Sequence, residues 1–171
     1  MDSVAWDQRY QGRELLWTSE PNRFLVSETK SLASARSIDL ACGEGRNAVW
    51  LAERGWEVTG VDFSSVGIEK ARRLADAHSV QVEWVVADLL DYRAETQAFD
   101  LVIVFYLQVA ARHRTTILRA AADAVAPGGT FLLVGHDRDA DRSRCARARI
   151  ASPALLSSSR GRDSRSVFCV R

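Results

Sequence analysis

Apolar and polar positions switch between two periods along the first 136 residues. Residues 37–40 read as a short buried strand, and 47–54 as a helix stopped by Gly55, where a left-handed residue closes a helix. Residues 56–61 form the next strand. Ser64 or Ser65 then caps a helix that places Ile68, Ala71, Leu74 and Ala75 on one face at spacings of three and four. Residues 80–86 alternate and merge into an apolar run, as a third strand does. Leu101-Val102-Ile103-Val104-Phe105 is apolar without a break, the mark of a central strand covered on both faces. A helix over 115–126, broken by Pro127-Gly128-Gly129, leads to a fifth strand at 130–134. Strands and helices alternating through short connections imply an α/β, Rossmann-like, doubly wound and mostly parallel sheet with helices on both faces.

The pattern lapses after His136. Of the 171 residues, 137–171 hold nine Arg against four Asp, so this stretch carries +5 and the remainder −4 beneath a total of +1. We therefore divide the chain into a domain over 1–136 and an Arg/Ser-rich tail over 137–171. Only 150–156, as a short helix, and 166–170, as an edge strand, retain an apolar pattern there. The completion of the sheet is expected to be missing or altered. With no aromatic interleaving except Phe168, the Arg-rich tail lacks the pattern of a nucleic-acid site.

Composition changes the picture only by exclusion. The hydrophobic share of 47% and charged share of 26% are those of an ordinary globular domain. The N-terminus has no basic stretch followed by an apolar run, and no segment is apolar enough to span a bilayer, so the expectation is cytoplasmic with no membrane partner. Cys42, Cys145 and Cys169 are scattered without paired spacing, which indicates neither a disulfide framework nor a metal site.

The chemistry concentrates in Ile38-Asp39-Leu40-Ala41-Cys42-Gly43-Glu44-Gly45-Arg46-Asn47-Ala48 and in Asp62 after the second strand. Gly43 and Gly45 allow a tight turn and a close approach of backbone to ligand. Asn47 and Ala48 open a helix whose free N–H groups attract an anionic group. Asp62 is placed to accept both hydroxyl protons of a ribose. Gly43-Glu44-Gly45-Arg46-Asn47-Ala48 also fits the glycine pattern of a dinucleotide site. Against that reading stands Asp39, a carboxylate that would oppose a pyrophosphate but suits an ammonium group. Asp88 and Leu89 after the third strand offer a carboxylate to an adenine amine and an apolar side chain to its ring. No further domain presents a hydride acceptor.

These motifs together resemble the class I S-adenosylmethionine-dependent methyltransferases. The likeness rests on Asp39 to Gly45, Asp62, Asp88, Phe99-Asp100-Leu101-Val102 and Pro127-Gly128-Gly129, in that order. It implies that Asp39, Ala41, Gly43 and Gly45 face the methionyl end of S-adenosylmethionine, Asp62 the ribose, and Asp88 with Leu89 the adenine, with Phe63 also among the cofactor-binding residues. The segment Trp6-Asp7-Gln8-Arg9-Tyr10, Leu16-Trp17-Thr18 and Pro21-Asn22 resembles the lead-in of the tellurite-resistance and thiopurine methyltransferase branch, which implies that Trp17 lies against the cofactor. Trp6 and Tyr10 either pack nearby or simply anchor an N-terminal helix.

The implied reaction is in-line methyl transfer to a small-molecule acceptor, with Phe105 and the residues after it lining the acceptor side. No side chain is assigned as a catalytic base. His113, between Arg112 and Arg114, reads as the start of a surface helix, and His136 and Asp137 end the fifth strand at the ligand edge. A site without a base favours a sulfur, selenium or tellurium nucleophile, whereas a hydroxyl or amine acceptor calls for one. A cofactor-binding protein without turnover is the alternative from another class. Cys42 reads as a small packed residue, Asp100 as the fixing point of its strand, and the run from Lys70 to Arg73 as a solvated helix face.

Overall fold

The computed structural model describes residues 3–12, 14–135, 146–148 and 166–170. Strands β1 (Arg36–Leu40), β2 (Glu57–Asp62), β3 (Glu83–Val86), β4 (Phe99–Phe105) and β5 (Val125–Gly135) lie parallel in the order β3-β2-β1-β4-β5. Beyond β5 the sheet gains β7 (Ser166–Val170), parallel to it, and then β6 (Ala146–Ala148), antiparallel to β7. Helices α1 (Ser3–Tyr10), α2 (Arg23–Thr29), α3 (Arg46–Ala52), α4 (Ser65–Ala77) and α5 (Ala111–Asp123) complete the described elements.

The unbroken apolar run in β4 has two audiences. Leu101, Ile103 and Phe105 pack with Leu25 of α2 and Ala48 and Leu51 of α3, while Val102 and Val104 pack with Ala121 near the end of α5. The five β4 residues from Leu101 to Phe105 are all buried. Asp100 accepts the Arg36 N–H at 3.2 Å and so ties the start of β1 to β4, the role its sequence position predicts.

Three element starts differ from the sequence expectation by three residues or more. The third strand begins at Glu83 rather than residue 80, because Val80 is used to close α4: its N–H reaches the Ala75 carbonyl at 3.0 Å, and the Ser79 N–H reaches that of Asp76 at 3.0 Å. This is a Schellman end with Ser79, at φ +55°, standing where glycine is usual. The fifth strand begins at Val125 and runs through Pro127-Gly128-Gly129 instead of starting after it. Its pairing jumps from Phe99–Val125 to Leu101–Thr130, a bulge that absorbs the proline's missing donor. Helix α5 starts at Ala111, four positions before 115, with no side-chain cap. The sequence reading also passes over α2, which Asn22 caps by accepting the Phe24 N–H at 2.9 Å.

Residues 166–170 form a strand as expected, but not an edge strand: β7 lies between β5 and β6, because 146–148 supply a further strand that the sequence does not announce. The helix expected over 150–156 lies outside the described residues.

Candidate functional site

Strand β1 is flanked by β2 on one side and β4 on the other, and chain connections leave in opposite directions from this point. Such a switch opens a crevice at the carboxyl ends of the strands. A cavity of about 940 Å³ lies there, at the upper end of the usual range for small-molecule sites. Its described lining comes from the turn after β1, the end of β2, the loop after β3, the segment from Phe105 to His113, and the N-terminal residues from Ser3 to Thr18.

Two non-glycine residues at left-handed φ mark its rim. Ala41 (φ +63°) follows β1 and Tyr106 (φ +55°) follows β4, and both line the cavity. Backbone in this region costs about 1–3 kcal/mol and persists where surrounding contacts dictate it. Tyr106 is held by its N–H to the Val134 carbonyl at 2.7 Å.

Asp62 organises the floor. Its Oδ2 accepts the Gly43 N–H at 2.8 Å and its Oδ1 the Ser64 N–H at 2.9 Å, so one carboxylate joins the glycine turn to the start of α4. Burial raises its pKa, and these backbone donors offset part of the rise. Ser64 caps α4 by accepting the Gly67 N–H at 3.0 Å, and its hydroxyl donates to Asp7 of α1. Helix α1 is thereby fixed over the turn. Trp6 and Tyr10 are both buried and stack with centroids 5.4 Å apart, yet both also reach the cavity wall, so anchoring and lining coincide. Burial drives the Tyr10 hydroxyl well above its ordinary pKa, reinforced by the charges of Asp62 and Glu44.

Asp39 is the most unusual group. It is 1% exposed, and neither carboxylate oxygen has a partner in hydrogen-bond geometry among the described residues, although the Ala48 amide stands near enough to favour its charge. Burial pushes its pKa up to about 7 with help from the charge of Asp62, while Arg46 and the Ala48 amide pull it down. Asp39 lies behind the cavity wall rather than on it.

Gly45 is likewise not part of the wall. A Cβ there would stand 2.6 Å from Trp84 Cη2 and 2.7 Å from Ala71 Cβ, so packing of β3 and α4 requires this glycine. Gly43 does line the cavity, but its missing Cβ makes room for the Tyr10 hydroxyl at 2.8 Å. The close approach that these glycines permit is to the protein itself.

The other expected site residues, Trp17, Ala41, Asp62, Phe63, Asp88, Leu89 and Phe105, line the same cavity as Gly43. Asp88 is exposed and accepts the Leu90 N–H at 2.9 Å. Cys42 is free and buried on the wall, with its thiol held well above the ordinary range by burial and by Asp39 and Asp62, in keeping with a packed residue. His136 and Asp137 lie outside the described residues.

Two groups that the sequence does not point to stand in or beside the cavity. His113 and Arg112, on the first turn of α5, line the cavity. Their signal was distance: they follow the end of β4 closely enough to stay at the sheet's ligand edge. Lys70 is not on a solvated face. It is 12% exposed and pairs with Glu44 at 2.9 Å. Among the described residues, no cluster of three His, Cys, Asp or Glu forms a metal site, and no helix is long and apolar enough to cross a membrane.

Comparison with known proteins converges on one family. The model of the methyltransferase domain family matches residues 38–129, more than half of the chain. The ubiquinone biosynthesis O-methyltransferase of Xanthomonas oryzae pv. oryzae (strain PXO99A) is 35% identical over 109 residues, which cover 63% of this chain and 46% of that protein. The chain thus spans about half the length of the curated relatives it matches. A structure determined in work on conversion of a disulfide bond into a thioacetal group during echinomycin biosynthesis is 30% identical, with a TM-score of 0.58 over 74% of this chain and 57% of that one. A Thiobacillus denitrificans S-adenosylmethionine-dependent methyltransferase, in complex with S-adenosylhomocysteine, shares the fold at 23% identity and TM-score 0.58 over 78% of this chain and 55% of that one.

Proposed function

On the premise that this chain belongs to the methyltransferase domain family, we propose that it transfers a methyl group from S-adenosylmethionine to a small-molecule acceptor. The observation that carries this reading is the convergence on one cavity of the turn from Ala41 to Gly43, the Asp62 carboxylate and the Asp88–Leu89 loop, with the buried Asp39 carboxylate behind the turn adding negative potential that favours an ammonium. Asp39 balances the methionyl amine, with the turn from Ala41 to Gly43 as its seat. Asp62, already spending one lone pair on each of two N–H donors, has lone pairs left for ribose hydroxyls. Phe63, Asp88 and Leu89 hold the adenine end and Trp17 covers the ligand. Gly45 acts at one remove, by letting Trp84 pack beneath the turn.

The cofactor supplies an activated methyl on a sulfonium, so the chain's task is alignment and exclusion of water. Segment 105–113 forms the acceptor wall. His113 on that wall can take a proton from an acceptor hydroxyl, and the O-methyltransferase relatives support an oxygen acceptor. A second reading, a sulfur, selenium or tellurium acceptor, draws on the likeness of the N-terminal aromatic segment to the tellurite-resistance and thiopurine branch and on the sulfur chemistry of the echinomycin relative. In either case the site is that of a cytoplasmic enzyme with a small-molecule partner.

Calorimetry with S-adenosylhomocysteine tests the cofactor, and methyl transfer from labelled cofactor to a panel of phenols, amines, thiols and metalloid anions tests the reaction. Binding that is lost in Asp62→Ala, with label entering a phenol, is the expected result. Label entering only soft nucleophiles favours the second reading. Binding without transfer to any acceptor makes the chain a cofactor-binding protein, and no binding by folded protein overturns the assignment.

A further inference from the structure

Residues 14–22 connect α1 to α2 without helix or strand of their own, yet Leu15, Trp17 and Thr18 lie on the cavity wall. What fastens them is one carboxylate. Glu44, between the two glycines of the turn, accepts the Leu16 N–H at 3.0 Å on Oε1 and 2.8 Å on Oε2, and the Trp17 N–H at 3.3 Å on Oε2. Lys70 of α4 donates to Glu44 Oε1 at 2.9 Å and to the Glu14 carbonyl at 2.7 Å. The pair is 4% and 12% exposed, so it is shielded from solvent screening. Only an ionised carboxylate accepts this many donors at once; an amide brings a single oxygen and a competing NH₂.

We propose that Glu44 and Lys70 form a latch that holds residues 14–17 over the cofactor turn and sets how long an adenosyl ligand is retained. Both are positioning residues: they act through the strap and through Trp17. The position of Glu44 explains why the latch sits here. The turn that seats the ligand and the acceptor that fastens its cover are consecutive residues, so disturbing one disturbs the other. This inference rests on the cofactor reading above.

The test uses the full chain as wild type, Glu44→Gln, and the paired Glu44→Leu/Lys70→Met, which removes the charges together and so leaves no buried ion unpaired. Hydrogen exchange at the Leu16 and Trp17 amides of ligand-free protein reads the latch itself. Stopped-flow release of S-adenosylhomocysteine reads its consequence. In both variants we expect exchange to quicken by at least about tenfold, and release by about tenfold to a hundredfold, the range for hydrogen bonds to a charged acceptor, with association little changed. Trp17→Ala should add nothing to release in the paired variant. A merely structural role would lower the melting temperature while leaving exchange and release at wild-type rates in the folded variants, and that result overturns the proposal. If wild type fails to bind S-adenosylhomocysteine, the cofactor reading fails, and so does the retention claim; the exchange measurement still decides whether Glu44 fastens the strap.

Discussion

Asp39 is 1% exposed with neither carboxylate oxygen in a geometrically formed hydrogen bond among the described residues, and its pKa is pushed up to about 7 chiefly by burial. In ligand-free protein it therefore takes up a proton as pH falls below about 7. Pairing with an ammonium requires the ionised form, so binding below that pH releases a proton. Affinity for S-adenosylhomocysteine should fall about tenfold per pH unit below 7 and level off above it, the slope for one linked proton. Isothermal calorimetry across pH 5.5–8, in buffers of differing ionisation enthalpy, measures both slope and proton release. Asp39→Asn should flatten the profile and weaken binding throughout. The sign for stability is opposite. A group whose folded pKa is raised stabilises the fold below its unfolded value and loses that contribution as pH rises through about 7, so ligand-free Asp39→Asn should melt above wild type at pH 8. A profile flat in wild type would sink the assignment of Asp39 to the ammonium.

Between elements, the tightest constraint is the indole of Trp84 on β3. It occupies the space where side chains at Gly45 and Gly60 would stand, 2.6 Å and 2.5 Å from their projected Cβ positions. Gly60→Ala should cost about 1–3 kcal/mol through overpacking, read by thermal or urea melts. Combining it with Trp84→Leu should cost less than the sum of the two single changes, because the smaller side chain vacates the contested space. Strict additivity would mean that the indole does not press on β2. This contact also shows what the sequence could not reveal. The glycines at 43 and 45 were legible as necessary, but both ligand approach and interior packing call for glycine, and only coordinates show that Tyr10 and Trp84 fill the space. Ser79 and Val80 were opaque for a related reason: a Schellman end built on serine carries no glycine to announce it, so its apolar residue read as strand. The strands themselves were plain, since β4 must be apolar on both faces to sit between two helical layers.

Across the whole molecule, the described cavity lining falls between Ser3 and His113, ahead in sequence of the Arg-rich stretch over 137–171. A chain ending at Gly135 should keep its affinity for S-adenosylhomocysteine but expose the edge of β5 that β7 covers, and so self-associate. Calorimetry and size-exclusion with light scattering separate the two effects; lost affinity in a monodisperse product would show that the cavity depends on the tail. The candidate cavity was legible where chemistry is written in motifs, at Asp62 and Asp88, which line it, whereas Asp39 lies off its wall. It was not legible where chemistry depends on folding distant segments together, as with Glu44 and Lys70, or where a charged run hides its direction, as with Arg112 and His113. On the proposed reading, the acceptor wall comes from one stretch, 105–113 without Ala111, while the cofactor floor is assembled from the ends of three other strands. On that reading, changes confined to one short run of neighbouring codons would redraw what is methylated while leaving the residues proposed to hold the methyl donor untouched.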